Sequence, residues 1–74
     1  MAETPNTFVK NVTTKLRELR KADGVTGEQL AERLGIAVQN LRRVEAGQNI
    51  TLKTLARIAE ALGFKVKVSF TRSR

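Results

Sequence analysis

Apolar residues recur every three to four positions through most of this chain, then at every second position near its C-terminal end. The change is from a helical period to that of a strand. The first periodic stretch puts Phe8, Val12, Leu16 and Leu19 on one face and leaves Lys10, Lys15, Arg17, Arg20 and Lys21 to the others. Thr7 is its expected cap and Ala22 its end, followed by an Asp23-Gly24 turn. A second helix carries Leu30, Ala31 and Leu34, opened by Thr26 and Gln29 in the spacing of a capping box. Gly35 breaks the period where a turn calls for positive φ, and Ile36 returns to the core. The third helix spans residues 38–46 with Ala37, Leu41 and Val44 facing inward, and Gly47 follows as its C′ residue. A fourth, capped by Thr51, runs to Leu62 with a wide stripe of Leu52, Leu55, Ala56, Ile58, Ala59 and Leu62, most of it expected to be buried. Gly63 ends it.

From 64 to 70 the alternation is complete: Phe64, Val66, Val68 and Phe70 on one side, Lys65, Lys67 and Ser69 on the other. This is the pattern of a half-buried strand. No other strand candidate exists in the chain, and one strand cannot satisfy its own N–H and C=O groups. Pairing with the same segment of a second copy, antiparallel across a twofold axis, is the economical solution. A frayed tail, or an edge that takes a different partner, is the competing arrangement. The expected organisation is a flexible N-terminus (1–6), a helical domain (7–63), a dimerisation strand (64–70) and a basic tail (71–74).

The second and third helices, about a turn apart at Gly35, have the spacing of a helix-turn-helix, the unit that lays its second helix in the major groove of DNA. Ala31 falls where those helices would cross. An ordinary helical hairpin would share the apolar period, but it leaves the charge unexplained. Fourteen Lys and Arg stand against seven Asp and Glu, a net +7 on 74 residues, with pI ≈ 10.9. From Arg42 onward eight residues are basic (Arg42, Arg43, Lys53, Arg57, Lys65, Lys67, Arg72, Arg74) and only Glu45 and Glu60 are acidic. Such an imbalance suits a polyanion.

Composition also excludes chemistry. With no His, Cys, Tyr or Trp, the chain has no disulfide, no thiolate metal site and no base to activate Ser69 or Ser73. Glu28 and Glu32 share a helix face, but beside Arg33 they read as a solvated surface and not as a cation site. No enzyme activity, cofactor or metal is expected. No apolar run nears the roughly 20 residues that span a bilayer, and the first residues lack the regions of a signal peptide. A cytoplasmic location follows as the expectation.

Viewed down its axis, the third helix turns Gln39, Arg42, Arg43 and Ala46 away from Leu41 and Val44, with Val38 and Asn40 on the flanks. Base contacts are therefore expected from Val38, Gln39, Arg42 and Arg43. Arg can bind guanine O6 and N7, Gln can bind adenine at two atoms, and Val can touch a thymine methyl. Phosphate contacts are expected from Gln48, Asn49, Thr51 and Lys53 around the mouth of the fourth helix, from Asn40, and from Thr26 at the mouth of the second. Plain capping is the alternative role of both threonines.

The segments LAERLGIAVQNLRRVEAG and TLKTLARIAEALG resemble the lambda-repressor and Cro-like, or XRE, helix-turn-helix family over about residues 12 to 63. The Leu-Ala, Leu-Gly-Ile, Glu-x-Gly and Leu-x-x-Ile-Ala-x-Ala-Leu-Gly pieces carry the likeness. The resemblance implies a four- to five-helix bundle that binds operator DNA as a dimer and usually represses transcription. The run from the fourth helix into a terminal strand looks most like HipB- and HigA-type antitoxins, whose HipB-like members pair such strands between subunits, and like small phage regulators. The chain departs from the family at Gly27, where Gln often clamps a phosphate, at Ala37, where Ser or Thr commonly caps, and at Val38, where Gln commonly reads a base.

The expectation is thus a mostly α protein with a C-terminal strand shared across a homodimer. It would be a sequence-specific, autoregulatory repressor on an inverted repeat, with the chain fully used by the DNA-binding unit and the dimer strand. Two alternatives stand beside it: an antitoxin whose main partner is a toxin protein, and a non-specific architectural DNA binder.

Overall fold

The computed structural model describes residues 4–73, and four helices form among them: α1 (Pro5–Ala22), α2 (Gly27–Leu34), α3 (Val38–Glu45) and α4 (Leu52–Ala61). Helix α1 packs on α3 and α4, and α2 packs on the same two. The core between them consists of Leu16, Leu30, Ala31, Leu41, Val44, Ile58, Ala59 and Leu62. Ala31 is 3% exposed, as a residue in a close helix approach should be.

Local signals set most of the boundaries. The Thr26 side chain accepts from the Gln29 N–H at 3.0 Å, and Gln29 Oε1 accepts from the Thr26 N–H at 2.9 Å, closing the capping box. Thr51 Oγ1 accepts from the Thr54 N–H at 3.1 Å and so caps α4. Each of the four helices ends in the same pair of bonds, one N–H reaching back five residues and its predecessor three: Val25 to Arg20 and Gly24 to Lys21, Ile36 to Ala31 and Gly35 to Glu32, Gln48 to Arg43 and Gly47 to Val44, Phe64 to Ala59 and Gly63 to Glu60. That is the Schellman arrangement, which needs a left-handed residue at the turn. Gly35 (φ 69°) and Gly47 (φ 87°) supply it on either side of α3.

Several expectations require correction. Helix α1 begins three residues earlier than the apolar pattern implies: Thr4, not Thr7, is the cap, accepting from the Thr7 N–H, with Pro5 in the first turn. Proline suits that position because its missing N–H has no partner there in any case. Of the expected flexible segment 1–6, residues 1–3 lie outside the described residues, and 4–6 are the cap and opening of α1. The buried face of α1 is also rotated by about one position. It presents Thr13, Leu16 and Arg20, while Val12 and Leu19 are half-buried and Phe8 is exposed. Thr13 can be buried because its hydroxyl donates to the Lys10 carbonyl at 3.1 Å. In α4 the stripe is narrower than expected, with Leu52 77% exposed and Ala56 also exposed. Ala37, expected inside, is the exposed N-cap of α3 and offers it no side-chain bond.

Residues 64–73 form neither helix nor strand. The expected strand is absent from the single chain for a physical reason: a ladder needs a second strand, and no other described segment is extended alongside this one. Phe64, Val66, Val68 and Phe70 are consequently exposed, Phe70 to 94%. Arg74 of the expected basic tail lies outside the described residues.

Candidate nucleic-acid interface

Helix α3 is held by its inner face. Leu41 is fully buried and Val44 nearly so, which fixes the rotation of the helix and turns Gln39, Asn40, Arg42 and Arg43 outward, all exposed. Val38 does not join them cleanly. Its side chain is half-buried against the core, and a Cβ built on Gly27 would lie 4.0 Å from its Cγ2. As the first residue of α3, Val38 packs against the opening of α2 before it reaches solvent.

The outward cations differ in their freedom. Arg42 Nη2 lies 3.5 Å from Glu28 Oε2, an exposed pair between α3 and α2. Pairs of this kind contribute little to stability, but they bias where the guanidinium rests. The Arg43 side chain makes no hydrogen bond or ion pair among the described residues, so its donors remain available.

The orientation of α3 depends on a residue the apolar pattern assigned to solvent. Arg20 of α1 is buried and grips Glu45, the last residue of α3, through Nε to Oε2 at 2.7 Å and Nη2 to Oε1 at 3.1 Å. Its Nη1 donates to the Val25 carbonyl at 2.8 Å, in the loop before α2. One guanidinium therefore joins the end of α3 to the approach to α2. The signal available in the sequence was Glu45 itself: a carboxylate in the last turn opposes the helix dipole and calls for a cation.

The expected phosphate contacts fall into two groups. Thr26 stands alone at the opening of α2, its hydroxyl and N–H both engaged in the capping box. Gln48, Asn49, Thr51 and Lys53 lie together between α3 and the first turn of α4, all exposed. Asn49 adopts φ 53°, a left-handed conformation that Asn tolerates better than most residues. The Thr51 hydroxyl is taken up by Thr54, donating to its Oγ1 at 3.1 Å, so the donors left at this mouth are the Leu52 and Lys53 N–H groups, which have no intrahelical acceptor. Asn40 lines the same cleft as Asn49, between α3 and α4.

Beside α2, a cleft of about 330 Å³ is bordered by Arg17, Arg20, Gly27, Glu28 and Arg42, among others. Arg17 belongs to no expected set and reaches this cleft from α1, which packs on α3. Among the described residues no cluster of three or more acidic or metal-ligating side chains could hold a metal, and no helix is long and apolar enough to cross a membrane.

Comparison with known proteins agrees with this geometry. A family profile described as helix-turn-helix matches residues 16–68, which takes in all of α2, α3 and α4 and the C-terminal part of α1 from Leu16 to Ala22. A protein of Methanothermobacter thermautotrophicus, named an uncharacterized HTH-type transcriptional regulator, is 47% identical over 51 residues, covering 68% of this chain and 74% of its own length. With a buried inner face on α3, a left-handed turn at Gly35 and a match over most of its length, the chain belongs to the XRE-type helix-turn-helix family of DNA-binding regulators.

Proposed function

We propose that the protein is a sequence-specific transcriptional repressor that acts as a homodimer on an inverted-repeat operator, autoregulating the promoter of its own gene. The observation that carries this reading is the outward face of α3, where Gln39, Arg42 and Arg43 stand clear of a core that fixes the helix by Leu41 and Val44. Gln39 and Arg43, four residues apart, suit adjacent base pairs along one groove, with Arg42 beside them and Val38 limited to the edge of its methyls. Thr26, Asn40, Gln48, Asn49, Thr51 and Lys53 flank that face and hold the backbone in register. Repression follows when an occupied operator overlaps the polymerase site.

The dimer is proposed to form through residues 64–70. Their apolar side chains are exposed at alternate positions and their backbone has no ladder partner in the single chain. A second copy supplies both needs at once and places the two α3 helices about one helical turn of DNA apart, roughly 34 Å. The same exposed segment also favours a second reading, an antitoxin that offers this edge to a toxin protein. The test of the main reading is an anisotropy titration at about 150 mM salt, against duplex from upstream of the gene and against a scrambled duplex. A preference of ~10³-fold or more is expected for the native duplex. Equal, weak and salt-sensitive binding to both would leave a non-specific architectural binder.

A further inference from the structure

Between α3 and α4 lies an open cleft of about 220 Å³ with an apolar floor, whose polar residues are Asn40 and Arg43 from α3, Asn49 from the intervening loop, and Thr54 and Arg57 from α4. No carboxylate lines it. Two arginines thus line one recess that no carboxylate lines, an arrangement that raises the local positive potential and is relieved by an anion. Arg57 is also held in place. Its Nη2 donates to the carbonyl of Leu34, the last residue of α2, at 3.0 Å, so one of its five N–H groups anchors it to the negative end of that helix and four remain. A cation fixed in advance loses less freedom on binding than a floppy one.

We infer that this cleft takes a phosphodiester of the DNA backbone, bound by Arg57 and Arg43 with Asn40, Asn49 and Thr54 as neutral donors. Arg57, in the middle of α4, is then a DNA-binding residue, and Arg43 divides its donors between this phosphate and a base edge. The inference rests on the DNA-binding reading of α3 and extends it. A free phosphate ion has the same chemistry, but the cleft is lined from α3 by Asn40 and Arg43, and Arg43 also belongs to the face proposed to enter the groove.

The experiment compares the full chain, Arg57→Gln and Thr54→Glu against the native and scrambled duplexes across a salt series. Thr54→Glu places a carboxylate in the cleft without touching the Leu34 bond. It also puts Glu at the third helical position, where it favours the fold of α4, so lost binding cannot be blamed on lost structure. Both variants are expected to weaken the two duplexes by the same factor, about tenfold. Arg57→Gln should also lower the slope of log K against log salt by about one. Unchanged affinity in both variants, with the parent still binding, overturns this inference alone. A loss confined to one duplex overturns it too, since it makes Arg57 a base reader. Heat stabilisation of the parent, but not of Arg57→Gln, by millimolar inorganic phosphate with no change in duplex affinity would assign the cleft to a free anion and overturn the DNA assignment. If the parent binds neither duplex, the reading of α3 fails and this one with it.

Discussion

Arg20 is the side chain on which the position of α3 most depends. Burying a guanidinium and a carboxylate costs desolvation on both, and the pair holds because its geometry is bidentate and the Val25 carbonyl takes a third N–H. Removing one partner leaves the other charged and buried. Arg20→Met is therefore expected to cost about 3–5 kcal/mol in urea unfolding, and Arg20→Met with Glu45→Leu together to recover most of it. Additive losses in the double variant would show that the residues act separately. A smaller cost belongs to Gly47, whose φ of 87° is strained for any residue with a Cβ although the space around it is adequate, with Lys10 Cα 3.6 Å from where the Cβ would sit. Gly47→Ala should lose roughly 1–2 kcal/mol in the same measurement, from backbone strain alone. These residues also mark how far the sequence could be read. Gly35, Gly47 and the Thr26–Gln29 box were legible because each is a local device, complete within a few residues. Arg20 was not, because its partner is 25 positions away, and an apolar count sees only a charge. The polar walls of the α3–α4 cleft were half legible: Asn40, Asn49 and Arg43 follow from the helix wheel and the loop, whereas Arg57 joins them only once α4 has packed.

At the scale of the element, α3 is eight residues long, too short to hold a helix by its own propensity. It gains its shape from Leu41 and Val44 inside, from Arg20 at its end, and from the close approach of α2 at Ala31. Ala31→Leu should push the helices apart and cost about 1–3 kcal/mol through overpacking, read as a lower urea midpoint. The outer face of α3 is free to vary, and its substitution should act on recognition alone. Gln39→Ala is expected to keep the melting temperature, lose about 1–3 kcal/mol on the native operator and relax the preference at one base position. A uniform loss across all sequences would move Gln39 to the phosphate group. The four helices were legible as elements because their apolar period is strong, yet the rotation of α1 was not. One position of rotation exchanges Phe8 for Thr13 and Arg20, and only the hydrogen bonds of the folded chain make that exchange favourable. The start of α1 was missed for a related reason, since Thr4 and Pro5 carry no apolar signal.

For the whole molecule, residues 64–73 are where the period of the sequence and the single folded chain diverge. Alternation describes a strand, but a strand needs a ladder partner, and the single chain leaves Val68 65% and Phe70 94% exposed. These residues contribute nothing to the core formed by Leu16, Leu30, Leu41 and their neighbours. A charge placed among them should therefore spare the fold of the monomer and strike only the association. Val68→Lys is expected to sediment as a single copy at concentrations where the parent sediments as two, while hydrogen exchange in α2 and α3 stays protected. Binding should change in a particular way. A paired protein meets its second half-site at a high effective concentration, whereas a single copy binds each half-site independently. Val68→Lys should therefore fall by 10² or more on the full inverted repeat and little on an isolated half-site. If the parent itself sediments as one copy and still prefers the full repeat, pairing through this segment is wrong, and its exposed apolar edge belongs to another protein.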